Sequence, residues 1–273
     1  MTNTAKPVDR PRRSAMYTPG ANVRALEKGR EVPADILILD LEDGVSPESK
    51  RSARENILRV LDEGGYGERE IGVRINGVNS EWYEEDVEAI AGSSANMIVF
   101  PKVEMAENIE NLVNLMEKKN APSEMGIWCM IETARGVLNA NMIAAAHEMV
   151  EALLIGSADL TKDLRAQHLK NRMPLITSIQ LCILAARANG LTILDSPFFD
   201  LTDDEGFLNS CRQGREMGFD GKTLLHPKTI DGANKIFGPS DQEIAWAGKI
   251  KAAHDAAVAE GKGVTLVDGQ LIE

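Results

Sequence analysis

Cysteine is scarce in this 273-residue chain. Cys129, Cys182 and Cys211 are odd in number, lack metal-ligand spacing and sit among apolar or helical residues, which argues against a disulfide framework or a thiolate metal site. Reduced, buried thiols in a cytoplasmic protein are expected instead. A basic excess is also missing: 30 Lys and Arg stand against 42 Asp and Glu, a formal charge of −12. Nothing offsets phosphate charge over a broad face, so neither a nucleic acid nor an anionic membrane is an expected partner, although locally clustered cations could still hold a small anion. No apolar run is long enough to span a bilayer, and Met1 to Pro11 is polar with two prolines, so neither a signal peptide nor an anchor is expected. Signatures of covalent hydrolases are lacking: there is no G-x-S-x-G, and no cysteine neighbours a histidine.

What is present is an alternation of short apolar runs and amphipathic stretches. After a leader expected to be disordered (residues 1–11), strands begin near residues 14, 34, 71, 96, 126, 152, 191 and 219, and each is followed by helical sequence. The run Ala34 to Leu41 is apolar at nearly every position, as a strand covered on both faces must be. Asn22 predicts the cap of a helix running to about Glu31, and Ser46-Pro47-Glu48 the start of one running to about Glu63. Further helices are expected over Ser80–Ala91, Ala106–Lys119, a broken region Leu138–Met149, Pro174–Asn189, Asp203–Met217 and Pro227–Phe237. Eight alternations without a strand-only block predict an α/β fold, a (β/α)₈ TIM barrel over residues 12–238. The main alternative, a doubly wound open sheet, lacks its dinucleotide fingerprint, because Tyr17-Thr-Pro-Gly20-Ala is not G-x-G-x-x-G. Residues 239–273 predict a helix over Asp241–Glu260, then a strand and turn ending at Glu273, a tail expected to continue further or to lie on another subunit.

Residues just past barrel strands line the catalytic face. That rule selects Tyr17, Asp40, Glu42, Asp43, Arg74, Asn76, Lys102, Glu132, Asp159, Asp195 and His226. Several acids in one mouth repel each other, and a divalent cation is the simplest neutraliser. Glu132 and Asp159 follow the runs Ile127–Ile131 and Leu153–Ile155, so oxygen donors at neighbouring strand ends match what Mg²⁺ requires. Structural alternatives stand beside each reading. Glu132 and Asp159 are also residue types found at helix starts. Strand alternation keeps Asp40, Glu42 and Asp43 from all facing inward, so one or two are expected to cap the Pro47 helix or pair with Arg51 or Arg54. Lys102 could merely neutralise Glu104, and His226 serve packing.

Seven motifs occur in order: Tyr17-Thr-Pro-Gly20, Leu39-Asp-Leu-Glu42-Asp43-Gly-Val45, Val73-Arg74-Ile-Asn76, Pro101-Lys102-Val-Glu104, Ile131-Glu132-Thr-Ala-Arg-Gly136, Asp159-Leu-Thr-Lys-Asp163 and Gly221-Lys222-Thr-Leu-Leu-His226-Pro227. Together they resemble the citrate lyase β-subunit-like family of the HpcH/HpaI aldolase superfamily from about Arg12 onward. The resemblance implies a Mg²⁺-dependent barrel enzyme, a trimeric or hexameric homo-oligomer, cleaving or forming short hydroxy-dicarboxylic acyl-CoA thioesters such as malyl-CoA or citramalyl-CoA to an acyl-CoA and a 2-oxo acid. It also implies that Glu132 and Asp159 hold the metal, that Arg74 and Glu132 meet the substrate, and that Tyr17, Arg24 and Lys28 contact CoA. Asp40, Glu42 and Asp43 match the acidic segment around the metal's waters, with Lys102 in the same outer layer. Arg74, Asp43 and Glu273, the last lent by a neighbouring chain, are expected to act in catalysis. Two departures stand out: Ala158 replaces the Glu or Asn that many relatives carry, and Glu273 stands where lyases often have Asp, a choice resembling the malyl-CoA thioesterase branch. That enzyme, using the same site, and a citrate lyase β subunit acting on an acyl-carrier-bound substrate are the alternatives.

Overall fold

A computed structural model describes residues 10–259, 261 and 263–272, so residues 1–9 of the expected leader lie outside the described residues. The described residues up to Phe237 form one compact unit and those from Gly238 a second.

The first unit closes eight parallel strands into a barrel: β1 Ser14–Pro19, β2 Ile36–Asp40, β3 Glu70–Arg74, β4 Met97–Phe100, β5 Gly126–Ile131, β6 Val150–Ile155, β7 Thr192–Asp195 and β8 Gly221–Leu224. Closure is made by β8 beside β1, with Ala15 opposite Thr223. Around them run α1 Val23–Lys28, α2 Lys50–Glu63, α3 Tyr83–Ala91, α4 Ala106–Lys118, α5 Ala134–Leu138, α6 Ala140–Ala144, α7 Ser157–Asp163, α8 Ile176–Ala188, α9 Asp204–Met217 and α10 Ile230–Phe237. The barrel predicted from the alternation is what forms.

The strands are apolar throughout because side chains alternate between two buried environments. Ala15, Tyr17, Ile36, Ile38, Met97, Val99, Trp128, Met130, Ala152, Leu154 and Leu194 fill the barrel interior. Residues one position away, such as Leu37, Leu39, Val73, Ile98, Cys129 and Leu153, pack beneath the helices. The three cysteines are buried and unpaired.

Several elements differ in detail. The helix after Asn22 stops at Lys28, with Asn22 Oδ1 accepting from Ala25 N–H at 3.0 Å. Ser46 makes no side-chain cap; Pro47–Ser49 forms a 3₁₀ turn before α2. The helix expected from Ser80 begins at Tyr83, the broken region Leu138–Met149 holds only α6 because α5 ends at its first residue, and α7 was not expected, its seven residues being too few to show a period.

In the second unit α11 spans Asp241–Ala259, and β9 Thr265–Val267 pairs antiparallel with β10 Gln270–Ile272. The expected strand and turn is thus a complete hairpin. Asp268 and Gly269 both adopt positive φ, +47° and +83°, as a two-residue turn of matching twist requires.

The amino-terminal end of the barrel is plugged by charge. Arg12 donates to both Glu70 oxygens at 2.7 and 2.8 Å and to Thr192 Oγ1 at 3.0 Å, approaches Glu151 at 3.4 Å, and lies 5.0 Å above the Trp128 ring. Removing one partner strands the other charges in a largely dry setting. Arg12→Ala is expected to lower the unfolding free energy by about 3 kcal/mol; a urea midpoint equal to wild type would contradict this assignment.

Candidate active site at the barrel mouth

At the opposite end, inward-facing positions turn from apolar to charged. Tyr17, Asp40, Arg74 and Glu132 continue the interior rows of β1, β2, β3 and β5, and they line a cavity of about 280 Å³ together with Asp43, Ala158 and Asp159. Its other wall is apolar, formed by Met130, Ile155, Pro197, Phe199 and Leu225.

Arg74 is gripped by Asp40 through two parallel bonds, Nε to Oδ1 and Nη2 to Oδ2, both 2.7 Å. Burial alone would raise the Asp40 carboxyl. The Arg74 charge and the Glu42 and Gly44 N–H groups, each 2.9 Å away, outweigh it and hold the group below the usual range. The guanidinium stands 4.7 Å from the Tyr17 ring centre. Its remaining nitrogen, Nη1, faces Glu42 at 3.0 Å and Asp43 at 3.7 Å.

Asp40 and Glu42 therefore both face the mouth, contrary to the expectation that one would cap the Pro47 turn or pair with Arg51 or Arg54. The chain turns tightly after β2, so strand alternation no longer applies beyond Asp40. Arg51 pairs with Glu55 instead, and Arg54 with Glu85 and Asp86. Asp43, with its side chain 63% exposed, is the open member of the trio.

Lys102 makes two different contacts. Its Nζ donates to Glu42 and lies 3.7 Å from Asp159, while its N–H donates to Glu132 Oε1 at 2.8 Å. It neutralises Glu42 rather than Glu104, and its backbone is left-handed (φ +52°), a conformation that costs energy for a residue with a side chain. Burial draws the Lys102 ammonium down, but the Glu42 bond overcomes this and raises its pKa.

Burial, joined by the nearby charge of Glu42, pushes the Glu132 carboxyl up to about 7, with Asp159 adding to the rise. Glu132 caps no helix; Thr133 does, accepting from Gly136 N–H at 3.0 Å. Asp159 sits in the first turn of α7 and is not its cap. Five carboxylates, Asp40, Glu42, Asp43, Glu132 and Asp159, thus meet two cations, Arg74 and Lys102. An oxygen-only donor pair with excess negative charge fits a hard divalent ion such as Mg²⁺, which fills its remaining positions with water or substrate oxygens. Among the described residues no three His, Cys, Asp or Glu side chains form a ready-made cage, so protein donors would be few.

Other candidates separate from this cluster. Asp195 faces the helical layer, wholly buried, paired with Lys222 Nζ at 2.8 Å and with Arg172. Its row is that of Ile193 on the outer side of β7, so its place at a strand end was misleading. His226 caps the turn after β8, its Nδ1 accepting from Lys228 N–H at 3.1 Å. Asn76 lies behind the mouth rather than in it. Arg24 and Lys28 stand exposed on α1 without an ion-pair partner among the described residues, whereas Tyr17 is buried in the cavity wall. Glu273 lies outside the described residues.

Lys50 was missed. It is 5% exposed, and its ammonium donates to Leu41 O, Glu42 O and Asn76 Oδ1, all at 2.7 Å, while standing 5.1 Å from the Trp82 ring centre. Asn76 in turn donates to Asp86 at 2.6 Å, and Asp86 accepts from Arg54 at 2.8 Å. A lysine early in an amphipathic helix carries no local sign of burial.

The HpcH/HpaI aldolase/citrate lyase family profile matches residues 13–227. A (3S)-malyl-CoA thioesterase of Cereibacter sphaeroides is 42% identical over 263 residues, 96% of this chain and 90% of that protein. An L-malyl-CoA/β-methylmalyl-CoA lyase of Cereibacter sphaeroides is 34% identical, covering 98% of this chain and 92% of the relative. Among solved structures, the protein CitE of Mycobacterium tuberculosis in complex with magnesium, acetoacetate and coenzyme A superposes with a TM-score of 0.78 at 28% identity, over 97% of this chain and 93% of that one.

A raised carboxyl favours the fold below its ordinary pKa of 4.5, and this contribution is lost as pH climbs through about 7. In EDTA, Glu132→Gln, which keeps the Lys102 bond, is therefore expected to melt above wild type at pH 8, with the advantage vanishing towards pH 5. Thermal denaturation at the two pH values checks this; a variant less stable at both would refute it.

Proposed function

Because the chain belongs to the HpcH/HpaI aldolase/citrate lyase family, we propose that its mouth is a Mg²⁺ site that processes malyl-type CoA thioesters, with thioester hydrolysis as the reaction. The observation that carries the reading is the Arg74–Asp40 pair beside Glu132 and Asp159, a fixed cation next to a place for a second one. Glu132 and Asp159 would hold the metal, with Asp40, Glu42, Asp43 and Lys102 around its waters. When bound, Mg²⁺ supplies charge neutralisation and polarises the substrate oxygens it touches.

The chain's own residues do the rest. Arg74, its Nε and Nη2 committed to Asp40, presents Nη1 to the thioester carbonyl oxygen and stabilises the charge that develops there. Asp43, the exposed carboxylate beside Nη1, takes a proton from water as the new carbon–oxygen bond forms. The carbon–sulfur bond then breaks, and the same proton passes to the CoA thiolate. The apolar wall of Met130, Ile155, Pro197, Phe199 and Leu225 keeps the acyl chain dry. Arg24 and Lys28, one turn apart on α1, are proposed to meet CoA phosphates, and Tyr17 to orient Arg74 against the acyl end.

Hydrolysis is favoured by the 42% identity with a malyl-CoA thioesterase, and the nearness of the exposed Asp43 carboxylate to Arg74 Nη1 supports it. The second reading is carbon–carbon cleavage to an acyl-CoA and a 2-oxo acid, favoured by the likeness to a malyl-CoA/β-methylmalyl-CoA lyase. It would draw its proton donor from Glu273 of a neighbouring copy in a homo-oligomer.

Incubation with (3S)-malyl-CoA and Mg²⁺, following free thiol and glyoxylate together, separates the two. Thiol without glyoxylate is expected; glyoxylate in step with acetyl-CoA would give the lyase reading, and neither product would overturn both. EDTA should abolish turnover and added Mg²⁺ restore it. Arg74→Ala is expected to lower kcat by about 10²–10³-fold. Arg74→Lys should fail to rescue, since a single ammonium cannot bind Asp40 in a fork and still direct another nitrogen towards the substrate.

A further inference from the structure

Glu132 and Asp159 sit on consecutive connections, those following β5 and β6, and these connections are tied directly to each other. Gly156 N–H donates to Ile131 O at 3.2 Å, carrying the strand pairing one residue beyond β6. A Cβ on Gly156 would lie 2.1 Å from Glu132 Oε2 and 2.6 Å from Glu132 Cβ. Its backbone, φ −98° and ψ 84°, does not need glycine's freedom to reach left-handed space, so glycine serves here to leave room. At the far end of α7, Asp163 Oδ2 accepts from Ala134 N–H at 2.7 Å, the first residue of α5 and two past Glu132. Thr133 takes the Gly136 N–H, so the donors at the start of α5 are divided between its own cap and a side chain from the next connection.

We infer that Gly156 and Asp163 are positioning residues that set the Glu132 and Asp159 carboxylates against one another. Gly156 does so by yielding the space that the Glu132 side chain fills. Asp163 latches α7 to the segment bearing Glu132. Asp159 and Asp163 are one helical turn apart, so fixing the second fixes the direction from which the first is presented. Donors already held in place need little further ordering when an ion binds, which is why groups one layer behind ligands change metal affinity. The inference rests on the proposed magnesium reading.

Isothermal titration of the full chain with Mg²⁺, alongside thermal melting in EDTA, tests it without measuring turnover. Gly156→Ala and Asp163→Ala are each expected to weaken Mg²⁺ binding about tenfold or more. Asp163→Asn should bind close to wild type, because its amide oxygen can accept the same N–H although the charge is gone. Asp163 is exposed, so its variants should melt near wild type and keep this arm interpretable if Gly156→Ala fails to fold. Wild-type affinity in Asp163→Ala, or an Asp163→Asn variant as weak as the alanine, would overturn the latch. Unchanged affinity in a folded Gly156→Ala would overturn the role of that glycine. A wild-type chain that takes up no Mg²⁺ would remove the magnesium reading and this inference together, whereas binding equal in wild type and variants removes only the inference.

Discussion

The mouth of this barrel depends on the paired bonds between Arg74 and Asp40. Two charges withdrawn from water are a poor source of net stability, since desolvation offsets most of their attraction. What they provide is direction. A planar fork on a carboxylate that is itself held by two N–H groups has little freedom to turn, so the guanidinium keeps one face on Tyr17 and one nitrogen towards the open carboxylates. The acidic turn after β2 can then bring Asp40 and Glu42 to the same side.

That turn is supported from behind by a cation that touches no carboxylate among the described residues. Lys50 spends its three donors on two main-chain carbonyls and the Asn76 amide, and the line continues through Asp86 to Arg54. Burial depresses the Lys50 pKa, opposed by Asp40 and Glu42. Because it binds dipoles at short range and acids only at a distance, it steadies the backbone beneath Glu42 without cancelling the negative charge of the cavity. Lys102 does cancel charge, and its left-handed backbone lets one residue serve Glu42 with its side chain and Glu132 with its N–H.

The barrel was readable because burial on both faces leaves apolar runs in the sequence, and eight of them alternating with helical stretches allow few topologies. The mouth residues Asp40, Arg74, Glu132 and Asp159 were readable because they stand where those runs end, and the family motifs pointed to the same positions. The rule of strand ends failed at Asp195, which a shift of one position sends into the helical layer with Lys222. It was silent on Lys50, Gly156 and Asp163. Their contributions are a buried donor, a missing Cβ and a bond across two connections, and each depends on what lies opposite in space rather than on neighbours in the chain.

The plug formed by Arg12, Glu70 and Trp128 has a kinetic meaning. It caps an interior already filled by side chains such as Ile38, Val99 and Leu154, so the described residues leave no passage through the barrel and a molecule in the mouth cavity departs from the face by which it arrived. A spent molecule still in residence there stands in the way of the next arrival.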